Sequence, residues 1–327
     1  MKRLFFLHTG GTLGMTAAGG GELEPGHYAE NVLPFLKGLD RKVAIDGAVL
    51  CNLDSSDLTP AHWEQLASAI AERHESVDGF VVVHGTDTMA YTATALALLL
   101  ENLQRPVVLT GAQRPIAELR SDARMNLMHA AISATLSVPE VGIWFGSTLL
   151  RGCRATKLSV DSYQAFSSPN LPPLVEMGVD IHYATPALER PGPFRLRRGF
   201  RRDVVVLSLH PGMPPRMLDF ALEAGARGVV LQGFGAGNLP LDGWAEAISR
   251  AADAGVPVVV GSQCRFGRVT LGSYAGSAAA RDAGALSAYD MTQEATLVKL
   301  MFLLGQGLDR ADLAEAWPIA LAGELTP

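Results

Sequence analysis

Short apolar runs alternate with longer helical segments through most of the 327-residue chain. Residues 79–84, Gly-Phe-Val-Val-Val-His, form a continuous apolar run, which is typical of a strand buried on both faces of a sheet. Thr59 suits a helix N-cap and Pro60 the first helical position, so a helix is predicted from there to about His74. Further strands are predicted at 3–7, 43–50, 106–110 and 141–145, and further helices at 88–102 and 121–137. This alternation predicts a mostly parallel sheet with helices on both faces.

The alternation is interrupted between residues 186 and 202, where prolines and arginines replace the periodic apolar residues. Afterwards it resumes, with strands expected at 203–209, 228–231 and 256–261, and helices at 215–224, 242–254 and from about 292. We therefore predict a larger N-terminal domain at 1–188, a linker at 189–203 and a smaller C-terminal α/β domain at 204–327. The candidate catalytic groups fall in the first domain.

The composition excludes several classes of protein. With 27 Lys and Arg against 33 Asp and Glu, the net charge of −6 does not attract nucleic acid or an anionic membrane surface. No segment has the ~18 consecutive apolar residues of a membrane span, and the run at 4–7 is too short for a secretion signal. Three widely separated cysteines (Cys51, Cys153 and Cys264) give no disulfide framework. We expect a cytoplasmic protein.

Polar, glycine-rich segments follow four successive strands of the predicted N-terminal sheet, at 9–12, 54–57, 85–88 and 111–113. Ligand sites of open parallel sheets form outside the carboxyl ends of the strands, so the four loops are expected to line one crevice. Helix N-termini behind Thr12 and Asp87 would add backbone donors that suit a small anion or a developing oxyanion. For any single loop, an ordinary turn glycine remains the alternative explanation.

Lysine is rare in this chain, with only five among the 27 basic residues. Lys157 lies in the segment Arg-Gly-Cys-Arg-Ala-Thr-Lys, where arginine is otherwise the preferred cation. A lysine amine can exchange a proton and arginine does not, so Lys157 is a candidate base for a threonine nucleophile, oriented by a carboxylate such as Asp87. The alternative is a solvated surface lysine.

Other catalytic motifs are absent from the sequence. It contains no G-x-S-x-G, no Gly-Lys pair of a phosphate-binding loop and no G-x-G-x-x-G. The eight histidines lack metal-ligand spacing, so we expect neither a metal nor a cofactor. His8 and His84, which end strands, are expected to make hydrogen bonds at the edge of the core.

These segments together resemble the bacterial-type L-asparaginase family, most of all its cytoplasmic type I branch. The most specific are Thr-Gly-Gly-Thr-Leu-Gly-Met at 9–15, His-Gly-Thr-Asp-Thr-Met-Ala-Tyr-Thr at 84–92 and the lysine segment at 151–157. The other matching segments are 54–57, 110–113, 117–122, 168–173, 237–238 and 290–297. The resemblance covers nearly the whole chain.

The resemblance implies hydrolysis of L-asparagine to aspartate and ammonia through an acyl-enzyme, in a homodimer or a tetramer of two dimers. Thr12 matches the nucleophile, and Thr86, Asp87 and Lys157 match the group that activates it or a water; which threonine attacks first stays open. The remaining matches are substrate-binding positions: Asp54 and Ser55 for the α-carboxylate and amino group, Gly85, Ala112 through its carbonyl, and Asn238 in a neighbouring subunit.

Two positions depart from the family pattern. The tyrosine of the family's mobile lid is replaced by Leu23, although Tyr28 lies nearby, and an allosteric arginine of some type I enzymes is replaced by Gln232. Three alternatives remain: a glutaminase-asparaginase, a relative acting on amidated glutamyl-tRNA, and a non-catalytic asparagine or aspartate sensor. The tRNA-acting relatives carry an extra N-terminal domain, which is not expected here because the first strand begins at Arg3.

Overall fold

The computed structural model of the chain describes residues 1–11, 13, 15–17, 23–25 and 43–326. These residues divide into two compact units, Met1–Arg197 and Arg198–Pro327, and the division falls inside the segment predicted as a linker. Within the described ranges, no helix has both the length and the apolar character needed to cross a membrane.

The elements of the first unit follow the predicted alternation. Its strands are β1 (Lys2–Gly10), β2 (Met15–Ala17), β3 (Leu23–Pro25), β4 (Val43–Leu53), β5 (Gly79–Val83), β6 (Leu100–Glu101), β7 (Val107–Thr110), β8 (Val141–Phe145), β9 (Thr148–Arg151), β10 (Thr156–Lys157), β11 (Phe166–Ser167), β12 (Val175–Met177), β13 (Ile181–Tyr183) and β14 (Arg195–Leu196). Among its described residues, the helices are α1 (Pro60–Arg73), α2 (Met89–Leu99) and α3 (Ala123–Ser133), and 3-10 turns lie at Ser55–Asp57 and Gly152–Arg154.

Eight of these strands form one sheet in the order β13-β12-β9-β8-β7-β5-β1-β4. The five strands from β8 to β4 run parallel, while β9, β12 and β13 are antiparallel to their neighbours. Every residue of β5, β7 and β8 is buried, which the uninterrupted apolar run at 79–84 predicted for β5. The prediction of a mostly parallel sheet flanked by helices is confirmed.

Three details differ from the predicted elements. The helix predicted at 88–102 ends at Leu99, because Leu100 and Glu101 instead pair with Arg195 and Leu196. This pairing also places a short strand inside the segment that we expected to be irregular. The helix predicted at 121–137 spans only Ala123–Ser133. Its apolar pattern continues further, but the chain turns there, with the Thr135 hydroxyl donating to the Ile132 carbonyl at 2.7 Å.

His84 follows the buried strand β5 and is itself 1% exposed. Its Nδ1 donates to the Gly85 carbonyl at 2.6 Å, and its Nε2 accepts from the Thr92 hydroxyl at 2.8 Å. Burial lowers the pKa of His84 from 6.5 to about 4, against a smaller opposing effect of the Gly85 hydrogen bond. The expected role of His84 in hydrogen bonding at the edge of the core is therefore confirmed.

The second unit is a smaller α/β domain. Its elements are β15 (Val204–Ser208), α4 (Arg216–Glu223), β16 (Gly228–Gly233), α5 (Trp244–Asp253), β17 (Val258–Ser262), α6 (Ala275–Asp282), β18 (Leu286–Ser287), α7 (Gln293–Gly305) and α8 (Arg310–Ala316). The four strands are parallel and ordered β15-β16-β17-β18. Neither α6 nor β18 was predicted, since Ala-Gly-Ser-Ala-Ala-Ala-Arg-Asp contains no large apolar residue and β18 is only two residues long.

A buried ion pair joins α7 to the C-terminal segment of the second unit. Lys299 and Glu324 are both 0% exposed, and their side chains meet at 2.7 Å. The Lys299 ammonium also donates to the Ile319 carbonyl at 2.7 Å, while the Glu324 carboxylate accepts from the backbone N–H groups of Leu321 and Ala322. The pair is therefore stabilised by hydrogen bonds on both sides, as a buried charge requires.

Replacing Lys299 by Met is expected to lower the free energy of unfolding by about 3–5 kcal/mol, because it leaves the Glu324 charge buried without its partner. Urea denaturation measures this loss. Adding Glu324→Gln to Lys299→Met is expected to restore part of it, since the uncompensated charge is removed. Arg250→Met, which breaks an exposed pair with Asp219, is the control with little expected effect. Equal losses in Lys299→Met and Arg250→Met would contradict the assignment.

His84 makes stability depend on pH in a defined direction. Its pKa is depressed in the folded state, so its contribution is complete above pH 6.5 and is lost as the pH falls toward about 4. In urea denaturation at pH 7 and pH 4.5, His84→Gln is expected to lose less stability on acidification than the wild type, by up to about 3 kcal/mol. His182→Gln, at an exposed position, should leave the pH dependence unchanged. An unaltered pH dependence in His84→Gln would refute the prediction.

Candidate active site

Glycines allow the loops after β1, β4 and β5 to approach one another at the carboxyl edge of the sheet. A Cβ on Gly11 would lie 2.5 Å from the Gly85 Cα, and a Cβ on Gly85 would lie 2.7 Å from the Ser55 side chain. Contacts this short are sterically forbidden for any other residue, and Gly11 also has a φ of +90°. The backbone at Gly11 therefore packs directly against the backbone at Gly85, and Gly85 packs against the Ser55 side chain, which a Cβ at either glycine would prevent.

The loop after β4 presents one buried hydroxyl and one exposed carboxylate. Ser55 is 3% exposed, and its carbonyl accepts a hydrogen bond of 2.7 Å from the Thr88 hydroxyl. Asp54 caps the following 3-10 turn, with its Oδ1 accepting from the Ser56 N–H at 2.8 Å. Hydrogen bonds from the Ser56 backbone and side chain hold the pKa of Asp54 below its ordinary value. Asp54 therefore carries a negative charge at neutral pH.

A lysine, a threonine and an aspartate are in direct contact beside these loops. The Lys157 Nζ donates to Thr86 Oγ1 at 2.8 Å and to Asp87 Oδ1 at 2.6 Å. The Thr86 residue is 7% exposed and the Lys157 side chain 16%, whereas the Asp87 side chain is 67% exposed. The hydroxyl and the amine are thus sheltered from water, while the carboxylate remains open to a ligand.

The loop after β7 is held by a carboxylate at the start of α3. The Asp122 carboxylate accepts from the Gln113 N–H at 3.0 and 3.1 Å and from the Asn126 amide at 3.0 Å. The Asn126 amide also donates to the Gly111 carbonyl at 3.0 Å. The buried Ala112 is therefore fixed from both sides. The matching segment 117–122 includes Asp122, but neither Asp122 nor Asn126 was predicted to have a role in the site.

The segment that carries Lys157 is anchored at its start. Arg151, 5% exposed, forms a two-point ion pair with the buried Glu140, at 2.6 and 3.0 Å. Gly152 then lies so close to α2 that a Cβ there would be 2.9 Å from the Ala93 Cβ. The chain continues into β10, which pairs with β11. Lys157 therefore stands on a short hairpin whose base is fixed in the core.

The structure describes the expected site residues unevenly. Thr12 and Tyr28 lie outside the described residues, and so does any helix N-terminus beginning behind Thr12. Leu23 is described only through the backbone of β3, which pairs with β2. Gln232 is buried in β16, at 3% exposure.

Asn238 belongs to the second unit, in the turn after β16. Its N–H donates to the Phe234 carbonyl at 2.7 Å, and its carbonyl accepts from the Phe234 N–H at 2.9 Å. Its Oδ1 is buried and makes no hydrogen bond to any residue in the described ranges.

The contacts define what the site in the first unit can do. An amine that contacts a sheltered hydroxyl can take its proton once the amine itself is neutral, and an exposed carboxylate next to it can bind a positively charged ligand group. Across the residues that the structure describes, no cluster of three His, Cys, Asp or Glu side chains is placed to hold a metal ion.

Comparison with known proteins gives consistent matches over both units. Residues 3–189 match the family model described as Asparaginase, N-terminal, and residues 203–316 match the Glutaminase/Asparaginase C-terminal domain. L-asparaginase 1 of Escherichia coli K12 is 38% identical over 333 residues, which cover 100% of this chain and 98% of that protein.

Two solved structures have the same fold as this chain. The crystal structure of L-asparaginase I from Vibrio cholerae has a TM-score of 0.91 at 37% identity and covers 100% of this chain and 99% of its own. The thermostable L-asparaginase from Thermococcus kodakarensis has a TM-score of 0.93 at 34% identity, with 99% of each chain covered. The chain therefore belongs to the asparaginase family, as the sequence motifs predicted.

Proposed function

We propose that this protein hydrolyses L-asparagine to L-aspartate and ammonia. The observation that carries the proposal is the contact of Lys157 Nζ with both Thr86 Oγ1 and Asp87 Oδ1. These three residues lie at the carboxyl edge of the sheet, beside the sheltered Ser55 and the charged Asp54. The chain that carries them belongs to the asparaginase family. A substrate with an ammonium and a carboxylate group suits this combination of acidic and hydroxyl groups.

In the proposed reaction, a threonine Oγ bonds to the side-chain amide carbon of asparagine, and the C–N bond breaks. The leaving nitrogen takes up a proton and departs as ammonia. Water then attacks the resulting ester and releases aspartate. We assign the first attack to Thr12, and assign to neutral Lys157 the removal of the Thr86 proton, so that Thr86 can in turn activate Thr12 or the water.

The substrate-binding roles follow the same assignment. Asp87 and Asp54 provide exposed carboxylates for the α-ammonium group, and the Ser55 hydroxyl, packed against Gly85, provides a donor for the α-carboxylate. The Ala112 carbonyl accepts a hydrogen bond from the amide nitrogen. Asn238, whose Oδ1 has no hydrogen-bond partner in the part of the chain that the structure describes, is assigned to the site of a neighbouring subunit, which makes the active form a homodimer or a tetramer of two dimers.

The proposed location is the cytoplasm. Cys51, Cys153 and Cys264 are all described by the structure and all are free thiols, which suits a reducing compartment.

Thr12→Ala, Thr86→Val and Lys157→Met are each expected to lower the kcat for ammonia release by about 10²-fold to 10⁴-fold, because each removes a nucleophile or a proton acceptor. Thr94→Val and Lys2→Met are the matched controls. The Thr94 hydroxyl donates to the Ala90 carbonyl of its own helix, and the Lys2 ammonium donates to the Thr135 carbonyl on the surface. Circular dichroism verifies folding, and full activity in Lys157→Met would overturn the mechanism.

The same assay, run with asparagine and with glutamine, separates the candidate functions. The description of the C-terminal family model names both glutaminase and asparaginase, which makes a glutaminase-asparaginase of broader specificity the second candidate. Preferential release from asparagine supports the proposal. Comparable release from both amides supports the second candidate, and binding of asparagine or aspartate without any release would identify a sensor.

Leu23→Tyr is expected to raise kcat, because the lid of the resembling family supplies a tyrosine hydroxyl near the nucleophile and this chain has leucine at that place. Leu23→Phe is the matched control, since it adds the ring without the hydroxyl and should leave kcat near the wild-type value. Steady-state ammonia release measures both. A kcat in Leu23→Tyr that is unchanged or lower would show that Tyr28 or another group already serves this role.

A further inference from the structure

The Gln113 side chain lies between Thr86 and the loop that follows Lys157. Its Nε2 donates to the Ser159 and Ser162 carbonyls, both at 3.3 Å. Its Oε1 lies 3.5 Å from Thr86 Oγ1. Its backbone N–H is held by the Asp122 carboxylate, so the side chain extends from a fixed point.

The neighbours of Gln113 determine which way its amide faces. In the reversed orientation, Oε1 would face two carbonyl oxygens, an arrangement of three acceptors with no donor. The observed orientation gives both carbonyls a donor. Gln113 therefore presents an acceptor, and not a donor, to Thr86.

The hydrogen-bond direction at Thr86 follows from this orientation. A hydroxyl has one proton to donate, and the Thr86 oxygen already accepts from the Lys157 Nζ at 2.8 Å. The Thr86 proton must therefore point elsewhere, and among the residues that the structure describes its hydrogen-bond acceptor is Gln113 Oε1. At 3.5 Å this bond is long and weak, so it orients the proton without holding it firmly.

The Nε2 contacts hold the hairpin that carries Lys157. The loop closes through the Leu158 N–H, which donates to the Ala165 carbonyl at 2.8 Å. Within it, the Ser159 hydroxyl accepts from the Ser162 N–H at 2.9 Å. The Gln113 amide thus links the 159–162 loop to the Thr86 hydroxyl, which is the hydroxyl that the Lys157 amine contacts.

We propose that Gln113 is a positioning residue for the reaction, which orients the Thr86 hydroxyl through Oε1 and anchors the 159–162 loop through Nε2. This inference rests on the proposed function of the Thr86–Lys157–Asp87 group. During turnover the Thr86 proton turns from Gln113 to neutral Lys157, which requires only rotation about the Cβ–Oγ bond. The weak contact permits that rotation, and the anchored loop keeps the amine within reach.

Gln113→Glu tests the hydrogen bonds of both Oε1 and Nε2. A change in packing alone would not produce the pH dependence of kcat that is expected for this variant. When protonated, the introduced carboxyl can donate O–H to the loop carbonyls and accept from Thr86, as the amide does. When ionised, it places a negative oxygen against the Ser159 and Ser162 carbonyls. Relative to the wild type at each pH, the kcat of Gln113→Glu is expected to fall by about tenfold between pH 5 and pH 8, since the two loop carbonyls lose their donor and face a negative charge instead. Gln104→Glu makes the same change at an exposed position and should follow the wild-type profile.

Gln113→Met supplies a second measurement that needs no titration. It fills similar volume without hydrogen bonds, so kcat for asparagine should fall by about tenfold at every pH. The KM should change little, because within the described ranges the Gln113 side chain hydrogen-bonds to Thr86, Ser159 and Ser162 and not to Ser55, Asp54 or Asp87. The ratio of its kcat to the wild-type kcat should therefore stay constant with pH.

The outcomes separate the inference from the function on which it rests. If the wild type releases no ammonia from asparagine or glutamine, the proposed function fails. If the wild type is active, the inference is overturned when Gln113→Met keeps the wild-type kcat, or when folded Gln113→Glu follows the wild-type pH profile. A pH-dependent loss confined to Gln113→Glu, with a constant loss in Gln113→Met, supports it.

Discussion

Backbone-to-backbone packing of Gly11 against Gly85 is the contact on which the site depends. Parallel pairing aligns the ends of β4, β1, β5 and β7 along one edge, but ordinary side chains would hold their loops apart. With no Cβ at Gly11 or Gly85, the loop after β1 touches the loop after β5, which in turn touches Ser55. Side chains that follow separate strands are thus brought together in a single cluster of hydroxyls and carboxylates.

In this cluster the residues with hydroxyl groups are buried and the carboxylates are exposed. Ser55 and Thr86 are nearly inaccessible, whereas the carboxylates of Asp54 and Asp87 are open to solvent. Desolvated hydroxyls make well-oriented hydrogen bonds, and exposed carboxylates keep their charge without the cost of burial. In the proposed function, the exposed carboxylates would meet the ammonium group of a small zwitterion, while its carboxylate and its amide would meet the sheltered hydroxyls.

Polar groups set deeper in the first unit anchor the loops of the site. Asp122 and Asn126 hold the loop after β7, and the Glu140–Arg151 pair holds the chain that leads to Lys157. None of these four is placed to react. Their hydrogen bonds are satisfied inside the core, so the loops that they hold have few alternative conformations. Gln113, whose N–H donates to the Asp122 carboxylate, extends this hydrogen-bond network to the Thr86 hydroxyl.

Apolar runs and glycine-rich motifs were enough to determine the parallel sheet, the four loops at its edge and the family, because buried strands and the polar loops at their ends leave local patterns. Local patterns did not determine where helices end. The helix α2 ends at Leu99 because the next residues form backbone pairs with a strand almost a hundred residues away. Local patterns also left Lys157 open to interpretation as a surface residue. Only the tertiary structure decided that its amine meets Thr86 and Asp87, since that contact joins positions about seventy residues apart and depends on side-chain direction.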